Sequence, residues 1–370
     1  MICESVVINN DNSSSSGLSL LGLPREHHCA LNYNNALYIL GGQHIISSSL
    51  SIHFNDILQM PSIQWINNSV SLQQLQQQQV LPLCTVTSYG QAILFDPTSL
   101  QESLLLDLNA LQWNNMSSIR RLVSTNVSSI FAVTIMENDH ILLLSSDDNN
   151  TTISWVLNAS NDRLRWRLTQ LSSQANNNSV AQSPPPPSIN SRAHLITASP
   201  WVLYFHIDAS SSSSSELYTV NVYGFDSSSL AWVGSLFNFT SATNDIQITL
   251  IDSNTDNNTL FIIPTSINTT NESDINNNND NQVMDSGYWL LTLSTNTTDS
   301  QINWHSLPSP STNNDPISFL KGGSITKILD TVVFYGGINI TDPLAYSPFM
   351  FHFWNISSQT FLPTPSWLAT

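Results

Sequence analysis

The chain has 370 residues, of which 41% are hydrophobic types and 9% are charged, against about 25% charged in an average soluble protein. Its formal net charge is −17 and it has nine Lys and Arg residues in all. That leaves no Lys/Arg surface for a phosphate backbone, so nucleic-acid binding is excluded. No run of about 18 apolar residues occurs, which excludes a membrane-spanning helix, and Met1-Ile2-Cys3-Glu4-Ser5 lacks the basic start and long apolar middle of a signal peptide.

In chain order, 4–8 and 18–23 read as two strands joined by an Asn/Ser loop. A full unit follows over 25–67. Arg25-Glu26-His27-His28 leads into an extended segment from Cys29 that ends at Asn34-Asn35. A second run, Ala36 to Leu40, stops at Gly41-Gly42, a third spans Ser51 to Leu58, and Trp65 marks the fourth. Four short β-rich runs with turns between them predict one twisted antiparallel sheet.

The unit recurs over 84–115, 130–169, 191–235, 246–308 and 318–364. These copies show apolar runs at 91–95 and 104–108, 140–144 and 153–157, 201–205 and 217–220, 259–263 and 288–293, and 331–335 and 349–353. Each pair leads to an aromatic: Trp113, Trp166, Trp232, Trp304 and Phe361 in turn. The double glycine returns once, as Gly336-Gly337, and Arg192-Ala193-His194 echoes Arg25-Glu26-His27. The aromatics lie about 48 to 72 residues apart, which brackets a period of about 50.

The Gly-Gly pair closing a second strand and the aromatic on a fourth resemble a kelch repeat. The resemblance implies an all-β, kelch-type β-propeller of six to seven four-stranded blades over 25–364. On this reading 1–24 is a partial blade of two strands and 365–370 a tail. Six blades plus an N-terminal addition, and a seven-bladed ring cut short, both remain open. A blade cannot bury both faces alone, so a large aromatic near the outer strand is expected to fill the wedge to its neighbour, and losing it should open a cavity. Gly-Gly suits a bend at positive φ or a crowded backbone. The low-complexity tracts, 73–79, 176–178, 184–187, 210–215 and 276–279, fall between the predicted strands and read as mobile loops. Helix is nearly absent from this reading, with at most a turn or two at 71–76.

Three cysteines allow one disulfide, for instance Cys29 with Cys84 on adjacent blades, with an odd thiol left over. Against it, Cys29 in an apolar strand reads as a small buried hydrophobe. Fifteen Asn-x-Ser/Thr sequons, Asn67, Asn115, Asn126, Asn238, Asn296, Asn339 and Asn355 among them, and only two lysines lean towards the secretory pathway or cell surface.

Three chemistries occur on folds of this kind or suit residues of this kind. Galactose oxidase carries kelch repeats, and that resemblance implies copper held by two histidines and two tyrosines, one cross-linked to a cysteine; no such set aligns here. His27 and His28 are adjacent and point to opposite faces of a strand, while His194 and His206 remain open. Glycoside hydrolysis needs a carboxylate pair, but Asp147-Asp148 lie in an Asn-rich loop, and Asp107 and Asp226 stand beside turns, where they bond backbone amides. The acidic segments 271–274 and 279–281 lack the ordered spacing of a calcium loop. No metal or cofactor is expected. Family members commonly hold a protein partner on one face, so the resemblance implies a non-catalytic interaction scaffold, with the extracellular part of a surface protein as one form of it. The competing reading is a copper radical oxidase or related carbohydrate-active enzyme completed outside this chain. Arg25, His28, Arg192 and His194, just before first strands, are the candidate contacts; their structural alternative is to tie neighbouring turns together.

Overall fold

The computed structural model describes residues 4–7, 28–47, 50–53, 56–60, 64–67, 83–95, 103–115, 130–146, 151–159, 167–171, 184–185, 194–209, 218–241, 243, 246–254, 257–264, 283–284, 288–294, 302–307, 320–321, 323–339 and 351–362. β1 (Glu4–Val7) precedes the first sheet. That sheet takes β2 (Cys29–Tyr33) and β3 (Ala36–Leu40), then, after the hairpin of β4 (Gln43–Ser47) and β5 (Leu50–His53), β6 (Asp56–Met60) and β7 (Gln64–Asn67). The second has β8 (Leu83–Val86), β9 (Gln91–Phe95), β10 (Leu104–Asp107) and β11 (Gln112–Asn115), and the third β12 (Ile130–Ile135), β13 (His140–Ser146), β14 (Thr152–Asn158) and β15 (Arg167–Gln170). The fourth has β16 (His194–Ala198), β17 (Trp201–Ala209), β18 (Tyr218–Asp226) and β19 (Ala231–Ser241). The fifth follows with β20 (Ile246–Ser253), β21 (Asn257–Pro264), β23 (Tyr288–Ser294) and β24 (Ile302–Leu307), while β22 (Val283–Met284) adds a parallel fifth strand to the fourth sheet. After β25 (Leu320–Lys321), the last sheet takes β26 (Ser324–Ile328), β27 (Thr331–Tyr335), β29 (Phe351–Asn355) and β30 (Thr360–Leu362), and β28 (Ile338–Asn339) pairs with β25.

The first strands β2, β8, β12, β16, β20 and β26 contact one another in sequence, and β26 returns to β2, so the sheets close into a β-propeller ring. The expectation of six to seven four-stranded blades is corrected: five blades are four-stranded, and the remaining sheet of the ring is five-stranded. The expected partial blade at the N-terminus also takes another form. β1 pairs parallel with β5 in a three-stranded sheet with β4, and 18–23 lies outside the described residues. The run expected as one strand over Ser51 to Leu58 divides between β5 and β6, because β5 pairs back on β4 before β6 joins β3.

Position in a blade sets the hydrophobic pattern. Second strands are covered on both faces by neighbouring blades, and β3 (ALYIL) and β9 (QAILF) are buried at every position. A strand covered on both faces favours an unbroken apolar run over alternation. The fourth strand β19 alternates exposed and half-buried residues along most of its length. In place of one central core there are six apolar clusters, one in each wedge; that between the first and last sheets is built from Leu37, Ile39, Val333, Tyr335, Phe351 and Phe353. Each fully buried Leu or Ile contributes about 1.5–3 kcal/mol.

Four fourth-strand aromatics among the described residues pack on the preceding sheet. Trp113 joins Cys29, Leu31 and Tyr38 of the first sheet, and Trp232 Nε1 donates to Ser154 Oγ of the third at 2.9 Å. Trp304 stands edge-on to Phe239 of the fourth at 5.0 Å, and Phe361 packs on Tyr288 of the fifth at 5.3 Å. Trp166 lies outside the described residues; Trp65 is in β7, but its side chain is not among those described. Gly41 and Gly42 have φ of 66° and 101°, and Gly336 and Gly337 have 66° and 99°. Both pairs follow second strands, in sheets that adjoin across the ring closure, and this conformation excludes most side chains.

Candidate functional site

Antiparallel alternation sorts the connections between the two ends of the ring. Those joining first to second and third to fourth strands lie at one end; those joining second to third strands, and one blade to the next, lie at the other. Within the first group the first-to-second-strand connections are short: Asn34–Asn35, 87–90, 136–139, Ser199–Pro200, 254–256 and 329–330. The second includes 68–82, 116–129, 171–193, 265–282 and 308–319, and every low-complexity tract of the sequence falls in it.

At the tight-turn end three turns share one design. Asp107 Oδ1 accepts from the N–H groups of Asn109 and Ala110, at 3.0 and 3.1 Å. Asp226 Oδ1 accepts from Ser228 N at 2.8 Å, and Asn355 Oδ1 from Ser358 N at 2.7 Å. Four residues after each acceptor the chain turns through positive φ, at Leu111 (54°), Leu230 (53°) and Gln359 (53°), and two residues later comes the packing aromatic. Asp107 and Asp226 therefore occupy the turn role that the sequence assigns them. Burial pushes the Asp226 carboxyl up, but the Ser228 and Ser229 hydroxyls and backbone N–H groups outweigh it and hold the group below the usual carboxylate range.

Polar side chains also tie each wedge near this end. Tyr33 Oη donates to Asn109 Oδ1 at 3.0 Å, and Asn109 Nδ2 to Tyr89 O at 2.9 Å. Asp139 accepts from both N and Oγ of Ser88 at 2.6 Å. Thr197 Oγ1 donates to Ile135 O, and Asn258 Nδ2 to Ser199 O at 2.9 Å. Lys327 Nζ donates to Ile251 O, and Asn32 Nδ2 to Lys327 O at 2.5 Å. All six wedges are crossed.

Of the sequence-predicted contacts, His28 and His194 stand at the other end, where first strands begin. His28 is buried between the first and last sheets, its Nε2 2.5 Å from Ser324 Oγ and its ring edge-on to Tyr335 at 4.7 Å. His194 is half-buried at the start of β16. Arg25 and Arg192 lie outside the described residues.

His194 and His206 do not converge. His194 pairs with Phe205 across β16 and β17, so both point toward the fifth sheet, where Phe205 packs with Ile246 and Leu260. His206, one residue on, points toward the third sheet with Tyr204. There it joins a cluster that sequence reasoning left unassembled. His206 Nδ1 is 3.4 Å from Asp208 Oδ1, and Asn221 Nδ2 donates to Asp208 Oδ2 at 2.8 Å. The Tyr204 and Tyr223 rings lie 6.1 and 6.4 Å from the imidazole. Burial, then Tyr223 and Asp208, push the Tyr204 phenol up; burial and Asp208 do the same to Tyr223. The alternation 204, 206, 208 on one strand, opposite 221 and 223, was the available signal.

Cys29 and Cys84 form a disulfide between β2 and β8, with 6.2 Å between Cα atoms. This corrects the reading of Cys29 as only a buried hydrophobe: it is buried, but its sulfur is shared across the first wedge, because adjacent inner strands bring the two Cα atoms together. Neither sulfur is therefore a thiol able to cross-link a tyrosine, and Cys3 lies outside the described residues. Among the described residues no group of three or more His, Cys, Asp or Glu is placed to hold a metal ion, and no helix is long and apolar enough to cross a membrane.

No protein-family model matches the sequence, and no curated protein matches it. Solved structures resemble the fold. The β-propeller domain of the trilobed protease from Pyrococcus furiosus, described as having an open velcro topology, shares 8% identity, covers 89% of this chain and 95% of its own, and gives a TM-score of 0.40. A thermostable family-43 glycoside hydrolase shares 9% identity over 88% and 86%, with a TM-score of 0.36. A protein of unknown function from Dyadobacter fermentans shares 9% over 86% and 92%, with a TM-score of 0.43.

Proposed function

We propose that the chain is a kelch-type β-propeller that holds a protein partner on its loop-bearing end, as a non-catalytic scaffold. The carrying observation is the asymmetry of the ring: first-to-second-strand turns of two to four residues at one end, and the Gln-, Asn-, Ser- and Pro-rich connections at the other. A rigid ring that spares one end for variable connections is a means of displaying them, since binding residues concentrate on loops held by a rigid scaffold. Half-buried His194, with Arg25 and Arg192, which precede first strands in the sequence, are the proposed contacts, and His28, buried against Ser324, takes the alternative role of tying neighbouring sheets. The kelch assignment draws support from the paired positive-φ glycines and from the fourth-strand aromatics packed on the preceding blade.

The surroundings are the secretory pathway or cell surface, a reading that rests on the Cys29–Cys84 bond and the fifteen sequons, since disulfides persist in oxidising compartments. Photo-crosslinking residues at Ser146, on the loop-bearing end, and at Ala110 and Ser228, on the tight-turn end, test the site in natively purified protein. Adducts from position 146 alone are expected; adducts confined to 110 and 228 would overturn the assignment. Stoichiometric copper uptake with hydrogen peroxide released from sugar alcohols or aldehydes would overturn the non-catalytic reading. Treating the native protein with a glycosidase should raise its mobility.

A further inference from the structure

The wedge between the third and fourth sheets holds a piece of the chain's own low-complexity sequence. The run Pro184-Pro185-Pro186-Pro187 lies between β15 and β16. Pro184 is buried and Pro185 exposed. The Tyr204 O–H donates to the Pro185 carbonyl at 3.1 Å. Tyr204 stands at the centre of an aromatic group, with ring centroids of Phe131 and Tyr223 at 6.2 Å, His206 at 6.1 Å and Trp232 at 6.4 Å. These rings come from β12, β17, β18 and β19, so they are assembled by blade packing.

Proline has no N–H and cannot pair with a strand edge, but its ring is flat and apolar and its carbonyl is a free acceptor. Aromatic grooves with a hydroxyl or N–H at the rim recognise extended proline-rich segments on those grounds. A buried phenol in turn needs an acceptor, and Pro185 supplies one to Tyr204. We infer that the aromatic wedge around Tyr204 is a binding groove for proline-rich segments, occupied in cis by Pro184 and Pro185, and that displacing them admits a proline-rich peptide in trans. The inference stands on these contacts and does not rest on the scaffold reading above.

A tethered segment competes at an effective concentration in the millimolar range, so a free peptide meets a blocked groove in the native chain. Fluorescein-labelled octaproline is the probe, titrated against the full chain and against a variant carrying Pro184→Ser, Pro185→Ser, Pro186→Ser and Pro187→Ser. The variant should bind the probe at least about tenfold more tightly than the native chain, and adding Tyr204→Phe should remove most of that gain. Equal binding by both proteins, with both retaining a cooperative thermal melt, overturns the inference. So does a gain that Tyr204→Phe leaves untouched. If the four-serine variant does not fold, Tyr204→Phe in the native chain gives the second reading. It keeps the ring and loses the hydrogen bond, so tryptic cleavage at Arg192 should accelerate several-fold; an unchanged cleavage rate overturns the inference.

Discussion

The two ends of this ring use the same chain differently. At the tight-turn end side chains bond across every wedge, with Ser88 held by Asp139, Asn258 reaching Ser199, and Asn32 reaching Lys327. At the other end the chain runs through 68–82, 171–193 and 265–282, rich in Gln, Asn, Ser and Pro. A ring of separate wedges has no single core to hold it, so each boundary needs its own apolar cluster and gains from its own polar ties. Polar ties cross every wedge near the tight turns, and where first strands begin the Cys29–Cys84 bond and the His28–Ser324 contact add two more.

The largest test concerns the wedges themselves. Leu143, fully buried in β13 and packed in the cluster between the second and third sheets, should cost about 2–5 kcal/mol on Leu143→Ala, read by chemical denaturation. Next comes the covalent tie: Cys84→Ser should lower stability by about 2–4 kcal/mol, and reductant should lower the native protein to the same level while leaving the variant unmoved. A polar tie is smaller. Asp139→Ala strands the Ser88 N–H and hydroxyl and should cost about 1–3 kcal/mol. At the opposite end, deleting Gln76 to Gln79 should change stability by no more than about 0.6 kcal/mol, since closure entropy varies slowly with loop length. A deletion as costly as Asp139→Ala would break the contrast between the ends.

The smallest effects come from pH. Tyr204 has a raised pKa in the fold, so its stabilisation is complete below the ordinary tyrosine value of about 10 and declines as pH rises above it. Tyr204→Phe should flatten the alkaline limb of the stability profile. Asp226 has a lowered pKa, so its contribution is present above the ordinary aspartate value of about 4 and is lost as pH falls below it. Because that carboxyl is only half-buried and solvent screens it, Asp226→Asn should shift the acid limb only slightly.

Much of the blade pattern was legible from residues. β3 and β27 are apolar almost throughout, and β13 from Ile141 to Leu144, because two neighbouring blades cover them, and a doubly covered strand needs no alternation. Trp113, Trp232 and Trp304 announced the fourth strands because only a large ring fills the outer wedge. The first strands were harder to read: β26, SITKI, is half-buried at every position and leaves little periodic trace. The turn motif was present but scattered, as an Asx residue six positions before the aromatic in Asp107, Asp226 and Asn355. Its positive-φ residues are Leu and Gln where glycine would have signalled a turn. In the candidate site, His28 and His194 could be placed before first strands, but the company of His206 could not be foreseen, because it depends on which blade each strand face meets.

Local chemistry thus determined on its own the strand-rich composition, the recurring unit, the glycine bends and the absence of a basic surface, since each follows from side-chain volume, charge or backbone freedom over a few residues. Ring closure decided the rest: that Cys29 meets Cys84 across one wedge, that His28 meets Ser324 across another, that His194 and His206 part company, and that prolines settle on Tyr204. Those contacts join residues far apart in the chain, and their separation in space is fixed only when the last blade packs against the first.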